Sequence, residues 1–170
     1  HTPKGKPVHD AEARGIQALV RALPDSYSVY SNIELASDRR GQTFEHDAIV
    51  VAPHAVFTVE LKSWGGRISG NRDRWTLADG TVVQSPIPLI LSKARVLKGR
   101  LQSRRRELGG VWVQGLVFLT AGDASAQITP DFEDYVVNLD GVRKALTDPA
   151  WLGRPAPITP AQRGAIETFL

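Results

Sequence analysis

The chain has 170 residues, 42% hydrophobic and 23% charged, with a formal net charge of +3; this is one domain's worth of ordinary globular composition, able to bury its own core. It contains no cysteine, which excludes disulfides, thiolate zinc sites and cysteine nucleophiles. No apolar run approaches the roughly 18 residues of a membrane-spanning helix and the N-terminus is not patterned as a signal peptide, so a cytoplasmic protein with no membrane partner is expected.

Residues 1–8, with Pro3, Gly5 and Pro7, read as a flexible arm, and 9–170 as a single domain. The absence of methionine, with His1-Thr2-Pro3 at the start, suggests a fragment of a larger protein with additional domains. Asp10 is placed to cap a first helix running to about Leu23, where Pro24 stops it. Extended stretches follow over 29–35, 44–52 and 55–63, with the polar turn Asp38-Arg39-Arg40-Gly41 after the first. Gly65-Gly66 ends the third. Residues 67–69 and 74–77, joined through Gly70-Asn71, suggest a small hairpin, followed by Val82-Val83.

Beyond Pro86 and Pro88 a long helix is expected to about Leu108, with an apolar stripe of Ile90, Ala94, Leu97, Leu101 and Leu108. Strands over 111–120 and 135–138 follow, then helices over 141–146 and 160–170. Thr159 caps the last of these, with Pro160 at its first position. Helix, antiparallel strands, helix, strand and helix imply an α/β sandwich: a central mixed sheet flanked by helices.

The acidic residues of this sheet carry the chemistry. The strands around Asp47 and Glu60 meet at Pro53-His54, and a hairpin centred there opposes residues equidistant from that pair. Asp47 then faces Glu60, and Lys62, two residues on, shares their face. Phe57, Val59 and Leu61 point the other way, into a core. Opposed carboxylates repel, so a proton, a cation or Lys62 must compensate. Mg²⁺ or Mn²⁺, which prefer oxygen ligands, would remove the conflict.

Glu12 supplies a third carboxylate by an independent route. It lies in helical line with Ile16, Leu19, Val20 and Leu23, so it points inward near one end of the core-facing stripe. An inward carboxylate needs a cation or a donor. Three carboxylates and a lysine suit phosphodiester hydrolysis, in which a metal ion neutralises developing charge and lowers the pKa of the attacking water. Taken singly, Glu60 and Lys62 also fit an exposed strand end, and Glu12 a first-turn residue favoured by the helix dipole. Their conjunction favours catalysis. His46 is expected as a surface strand residue.

Helix residue Glu12, the Glu45-His46-Asp47 step, the run Val59-Glu60-Leu61-Lys62-Ser63-Trp64-Gly65-Gly66 and Trp75 together resemble the nuclease-related domain, NERD, of the PD-(D/E)xK nuclease superfamily. The resemblance covers roughly residues 8–105. It implies a restriction-endonuclease-like fold, with Glu12, Asp47 and Glu60 as metal ligands and Lys62 positioning water or stabilising negative charge. Two positions depart from the family pattern. His46 stands where an apolar residue is usual. The helix that usually carries a glutamine near its start has Leu91-Ser92-Lys93, leaving Lys93 or Gln84 as substitutes. The segment from Ser85 to Leu97 is similar to the NERD region of large kinase-containing proteins in bacterial anti-phage systems of the Pgl/BREX kind.

The long helix is also basic. Lys93, Arg100 and Arg104 are expected on one face, either tracking phosphates of DNA, with RNA not excluded, or forming a solvated surface. Trp64 and Trp75 suit base stacking or core packing, with a core role expected for at least one. A magnesium-dependent deoxyribonuclease acting in anti-phage defence or DNA processing is therefore the leading expectation. A non-catalytic module of the same fold that binds nucleic acid or a partner is the alternative.

Overall fold

The computed structural model of the chain describes residues 1–4, 10–36 and 41–170. Strand β1 (Thr2–Pro3) precedes helix α1 (Asp10–Ala22). A meander of β2 (Ser28–Ala36), β3 (Thr43–Val51) and β4 (Val56–Lys62) follows. Three short strands come next: β5 (Arg67–Gly70), β6 (Arg74–Thr76) and β7 (Val82–Gln84). Helix α2 (Ile87–Arg104) returns the chain to β8 (Val113–Leu119). The remainder is β9 (Ser125–Ile128), α3 (Pro130–Glu133), β10 (Val136–Val137), α4 (Leu139–Thr147) and α5 (Pro160–Phe169).

The main sheet has six strands in the order β1-β2-β3-β4-β8-β10. Its β2–β3 and β3–β4 pairs are antiparallel, whereas β1–β2, β4–β8 and β8–β10 are parallel. This is the mixed sheet flanked by helices that the order of elements implies. The hairpin ladder pairs Ala48 with Val59, Ile49 with Thr58, Val50 with Phe57 and Val51 with Val56. That is the register expected for a turn centred on Pro53-His54, closed by the Ala52 N–H donating to the Ala55 carbonyl at 2.9 Å.

Alternation distributes these strands between two cores. Ala48, Val50, Phe57, Val59 and Leu61 pack with Ile16 and Leu19 of α1 and with Val142 and Leu146 of α4. Ile49, Val51 and Val56 face Leu97 and Leu101 of α2 and Ile166 of α5. A second sheet, β7-β6-β5-β9, closes a third cluster in which Ile68 and Trp75 meet Ile87 and Ile90 at the start of α2.

Close approach of α2 to the sheet depends on Gly115, which pairs with Thr58 across β4–β8. A β-carbon at Gly115 would lie 2.9 Å from the Ile90 carbonyl oxygen, closer than a backbone contact allows. The bare backbone there lets the first turns of α2 settle directly over β4 and β8. That placement fixes where Lys93, one turn beyond Ile90, arrives.

Several elements differ from the sequence expectation. Thr2 and Pro3 pair in parallel with Tyr30 and Ser31, so the beginning of the supposed arm is an edge strand. Residues 5–8 of that arm, and residues 38–40 of the polar turn, lie outside the described residues. Strand β9, paired in parallel with β5, and the single helical turn α3 were not expected. Helix α2 ends at Arg104, and a separate 3₁₀ turn carries the chain on through Leu108. Among the described residues no helix is long and apolar enough to cross a membrane.

Candidate active site

Where β4 and β8 end, Glu12, Glu45, Asp47, Glu60, Lys62 and Trp64 line one cleft of about 360 Å³. The sequence reading named four of these as site residues. Glu45, part of the Glu45-His46-Asp47 step but not among the expected site residues, joins them at the cleft.

The cleft exists because two strands depart from regular pairing at the same place. The β2–β3 ladder pairs Ser31 with Ala48 and Ile33 with His46, but not Asn32 with Asp47. Asn32 has φ of 56°, in the left-handed region, and there β2 turns over. Tyr30 before it and Ile33 and Leu35 after it all pack in the same core cluster, which plain alternation forbids. Across the ladder, β3 reverses at Asp47. His46 is consequently buried, with Nδ1 2.7 Å from the Thr58 hydroxyl, and is not the surface residue expected. Burial, and then Lys93, push the His46 pKa down to about 4, so the ring is neutral at pH 7.

The β3–β4 ladder stops at Ala48–Val59, one step short of Asp47 and Glu60. In place of a backbone carbonyl, Asp47 Oδ2 accepts the Leu61 N–H at 2.8 Å. The carboxylate thereby stands in for the next rung of the sheet and is held there rigidly. Burial, and then the nearby Glu60 charge, raise its pKa to about 6.

Glu60 is buried and meets two lysines. Lys62 Nζ lies 2.8 Å from Oε1, and Lys93 Nζ lies 2.5 Å from Oε2. Burial pushes its carboxyl up, but Lys93 and Lys62 outweigh that and hold it below the usual carboxylate range. The side chain of Lys62 is 27% exposed, and its ammonium sits 5.8 Å from the centre of the Trp64 ring, where the ring quadrupole attracts it. Trp64 in turn packs edge-on against buried Trp75. Of the two tryptophans, Trp75 is core and Trp64 supports Lys62 at the cleft.

Lys93 departs furthest from its expected place. It is 5% exposed, and besides Glu60 its nitrogen lies 3.7 Å from Asp47 Oδ1. It belongs to the acidic cluster and not to a phosphate-tracking face with Arg100 and Arg104. The spacing held the signal: Lys93 lies three residues after Ile90 and four before Leu97, inside the apolar stripe, where a lysine needs a carboxylate.

Glu12, half-buried on α1, accepts a hydrogen bond from Asn32 Nδ2 at 2.5 Å. Asn32 therefore links the strand reversal to the third carboxylate, a role invisible in the sequence. Its Oδ1 is buried with no hydrogen-bond partner among the described residues. Asn32→Ala is expected to lower stability by about 1–2 kcal/mol, through left-handed backbone strain and the lost bond. Asn32→Gly should cost less, since glycine accepts that φ freely. Urea denaturation of both variants tests this; a neutral alanine variant would mean that Asn32 does not hold the strand reversal.

In kind, these donors suit a hard divalent cation, being carboxylate oxygens gathered on one cleft. In arrangement they do not yet accommodate one. Among the described residues no three acidic or imidazole groups stand together as a ligand set, and both Glu60 oxygens are already engaged by ammonium groups.

Comparison with known proteins places the chain in a family. The model of the nuclease-related domain, NERD, matches residues 8–120, a span that runs from just before α1 through β8 and includes all the cleft residues named above. A probable kinase, PglW of Streptomyces coelicolor, is 29% identical over 135 residues, covering 76% of this chain. The chain spans only 8% of that relative's length, so the likeness concerns one part of a much larger protein. No solved structure matches the chain. The match of the family model over most of the chain, including every cleft residue, shows that this protein belongs to the nuclease-related domain family.

Proposed function

We propose that this domain hydrolyses phosphodiester bonds in DNA, with Mg²⁺ or Mn²⁺ at Glu12, Asp47 and Glu60, in the cytoplasm and within a larger anti-phage defence or DNA-processing protein. The observation that carries the reading is the gathering of Asp47, Glu60 and Lys62 at one cleft, just beyond the last β3–β4 pair. Family membership supports nuclease-related chemistry. Likeness to a far longer probable kinase supports a setting beside further domains.

In this reading Lys62 is the residue that meets the scissile phosphate. Glu60 and the Trp64 ring hold its ammonium at the cleft, where it offsets negative charge that grows toward the transition state. Asp47 is fixed by the Leu61 N–H, so its remaining oxygen has a defined direction. The test is cleavage of labelled DNA and RNA with and without divalent metal, beside a Glu60→Ala control. Metal-dependent cleavage lost in the variant supports the proposal, and the RNA arm decides between the two nucleic acids.

A non-catalytic nucleic-acid- or partner-binding module is the rival, favoured by the saturation of Glu60 with lysines. Absence of cleavage of any substrate at millimolar metal, with binding retained, would select it.

Arg104 is exposed and Arg100 partly buried on α2. If they contact DNA they touch backbone only. Replacing both by alanine should weaken binding and flatten its salt dependence by about one unit of slope per lost phosphate contact. Unchanged affinity and slope would mean a merely solvated helix surface.

A further inference from the structure

Lys93 has no part in the chemistry just described, yet it is the more deeply buried lysine of the site. It comes from a different element than Glu60 and Asp47, and its nitrogen reaches both, at 2.5 Å and 3.7 Å. With Lys62 on the other Glu60 oxygen, two ammonium groups stand against two carboxylates. A divalent ion bound through Asp47 and Glu60 would need the lone pairs and the space that Lys93 holds, and a neighbouring ammonium would repel it. Withdrawal of helix α2 would break the close packing of Ile90 on the bare backbone of Gly115 and its place in the third core cluster. Movement is left to the four torsions of the lysine stem.

We propose that Lys93 is an internal cation that fills the metal's place in the metal-free domain, and that divalent-ion binding requires its ammonium to let go of Asp47 and of one Glu60 oxygen. This rests on the nuclease reading of the same cleft. It explains why carboxylates suited to a cation are gathered without forming a ligand set. The buried pair Glu60–Lys93 keeps the site folded and charge-balanced without metal. Metal affinity is reduced by whatever the lysine contacts are worth, since the ion must displace them.

The experiment is calorimetric titration of the whole chain with Mn²⁺, together with its melting temperature at increasing Mn²⁺. Wild type, Lys93→Met, Lys93→Gln and Asp47→Asn are compared. Glutamine keeps part of the stem and a donor for Glu60, so it provides a folded variant should methionine leave Glu60 too poorly partnered. Removing the ammonium should tighten Mn²⁺ binding by about tenfold or more and enlarge the metal-induced rise in melting temperature.

Equal or weaker binding by both Lys93 variants overturns the inference. If wild type nonetheless binds Mn²⁺ and Asp47→Asn does not, the metal-site reading stands without it. Failure of every protein to bind at millimolar Mn²⁺ overturns both.

Discussion

Replacing Lys62 by alanine is expected to slow DNA cleavage by about a hundred- to a thousandfold while leaving DNA affinity nearly unchanged. The split follows from position. Lys62 sits at the cleft beside Glu60, supported by the Trp64 ring, and in the proposed reading its charge meets one phosphate. In the ground state that phosphate is one of several contacts along the backbone, and losing one costs little affinity. In the transition state it carries the growing charge, and the full loss appears in the rate. Single-turnover cleavage beside a binding titration separates the two quantities. Melting temperatures are needed as well, because Glu60 is left with Lys93 alone. A variant that stays folded and cleaves at the wild-type rate would show that the active site has been wrongly assigned.

Much of this arrangement could be read from residue order. The hairpin register follows from where Pro53-His54 falls between two apolar runs, and the structure keeps it over four pairs. The stripe on α1 buries Ile16 and Leu19, and Leu23 just past its end, as its spacing requires. What could not be read depends on partners distant in sequence. Strand β9 is mostly exposed and is defined by parallel pairing with β5, some sixty residues earlier; its own residues carry no alternation to betray it. The reversal at Asn32 and Asp47 breaks the period of two on which every facial argument rests. Regular alternation consequently puts His46 on the surface, whereas it lies inside. Lys93 is the opposite case: six other cations crowd α2 and the turn that follows it and mask a lysine whose place between Ile90 and Leu97 already puts it inside the apolar stripe.

Asp47→Asn is expected to make the metal-free protein more stable at pH 7, by roughly 1–3 kcal/mol, and to abolish divalent-metal binding. The folded-state pKa of Asp47 is raised from 3.8 to about 6. A carboxyl so raised contributes stability that is fully present below its unfolded pKa and is lost as pH rises through the folded value. Between about pH 4 and 6 the native wild type holds a proton that the unfolded chain has released; above that range ionised Asp47 is a cost. Its side chain is 20% exposed, so solvent relieves part of that cost and the lower end of the range is the safer expectation. Glu60 runs the opposite way. Its pKa is held below the usual range, so its contribution is present above the ordinary carboxylate pKa and is lost only on further acidification. Asparagine keeps an oxygen for the Leu61 N–H while removing the charge that Glu60 opposes. His46, whose pKa is held down to about 4, contributes stability that rises with pH over the same interval and opposes Asp47 in the wild type. Urea denaturation at pH 5, 6 and 7 should therefore show the advantage of the variant over wild type widening as pH rises. Parallel profiles would mean that Asp47 carries no charge conflict in the folded protein. A more stable variant that no longer takes up metal would instead show a carboxylate kept for chemistry at the expense of the fold.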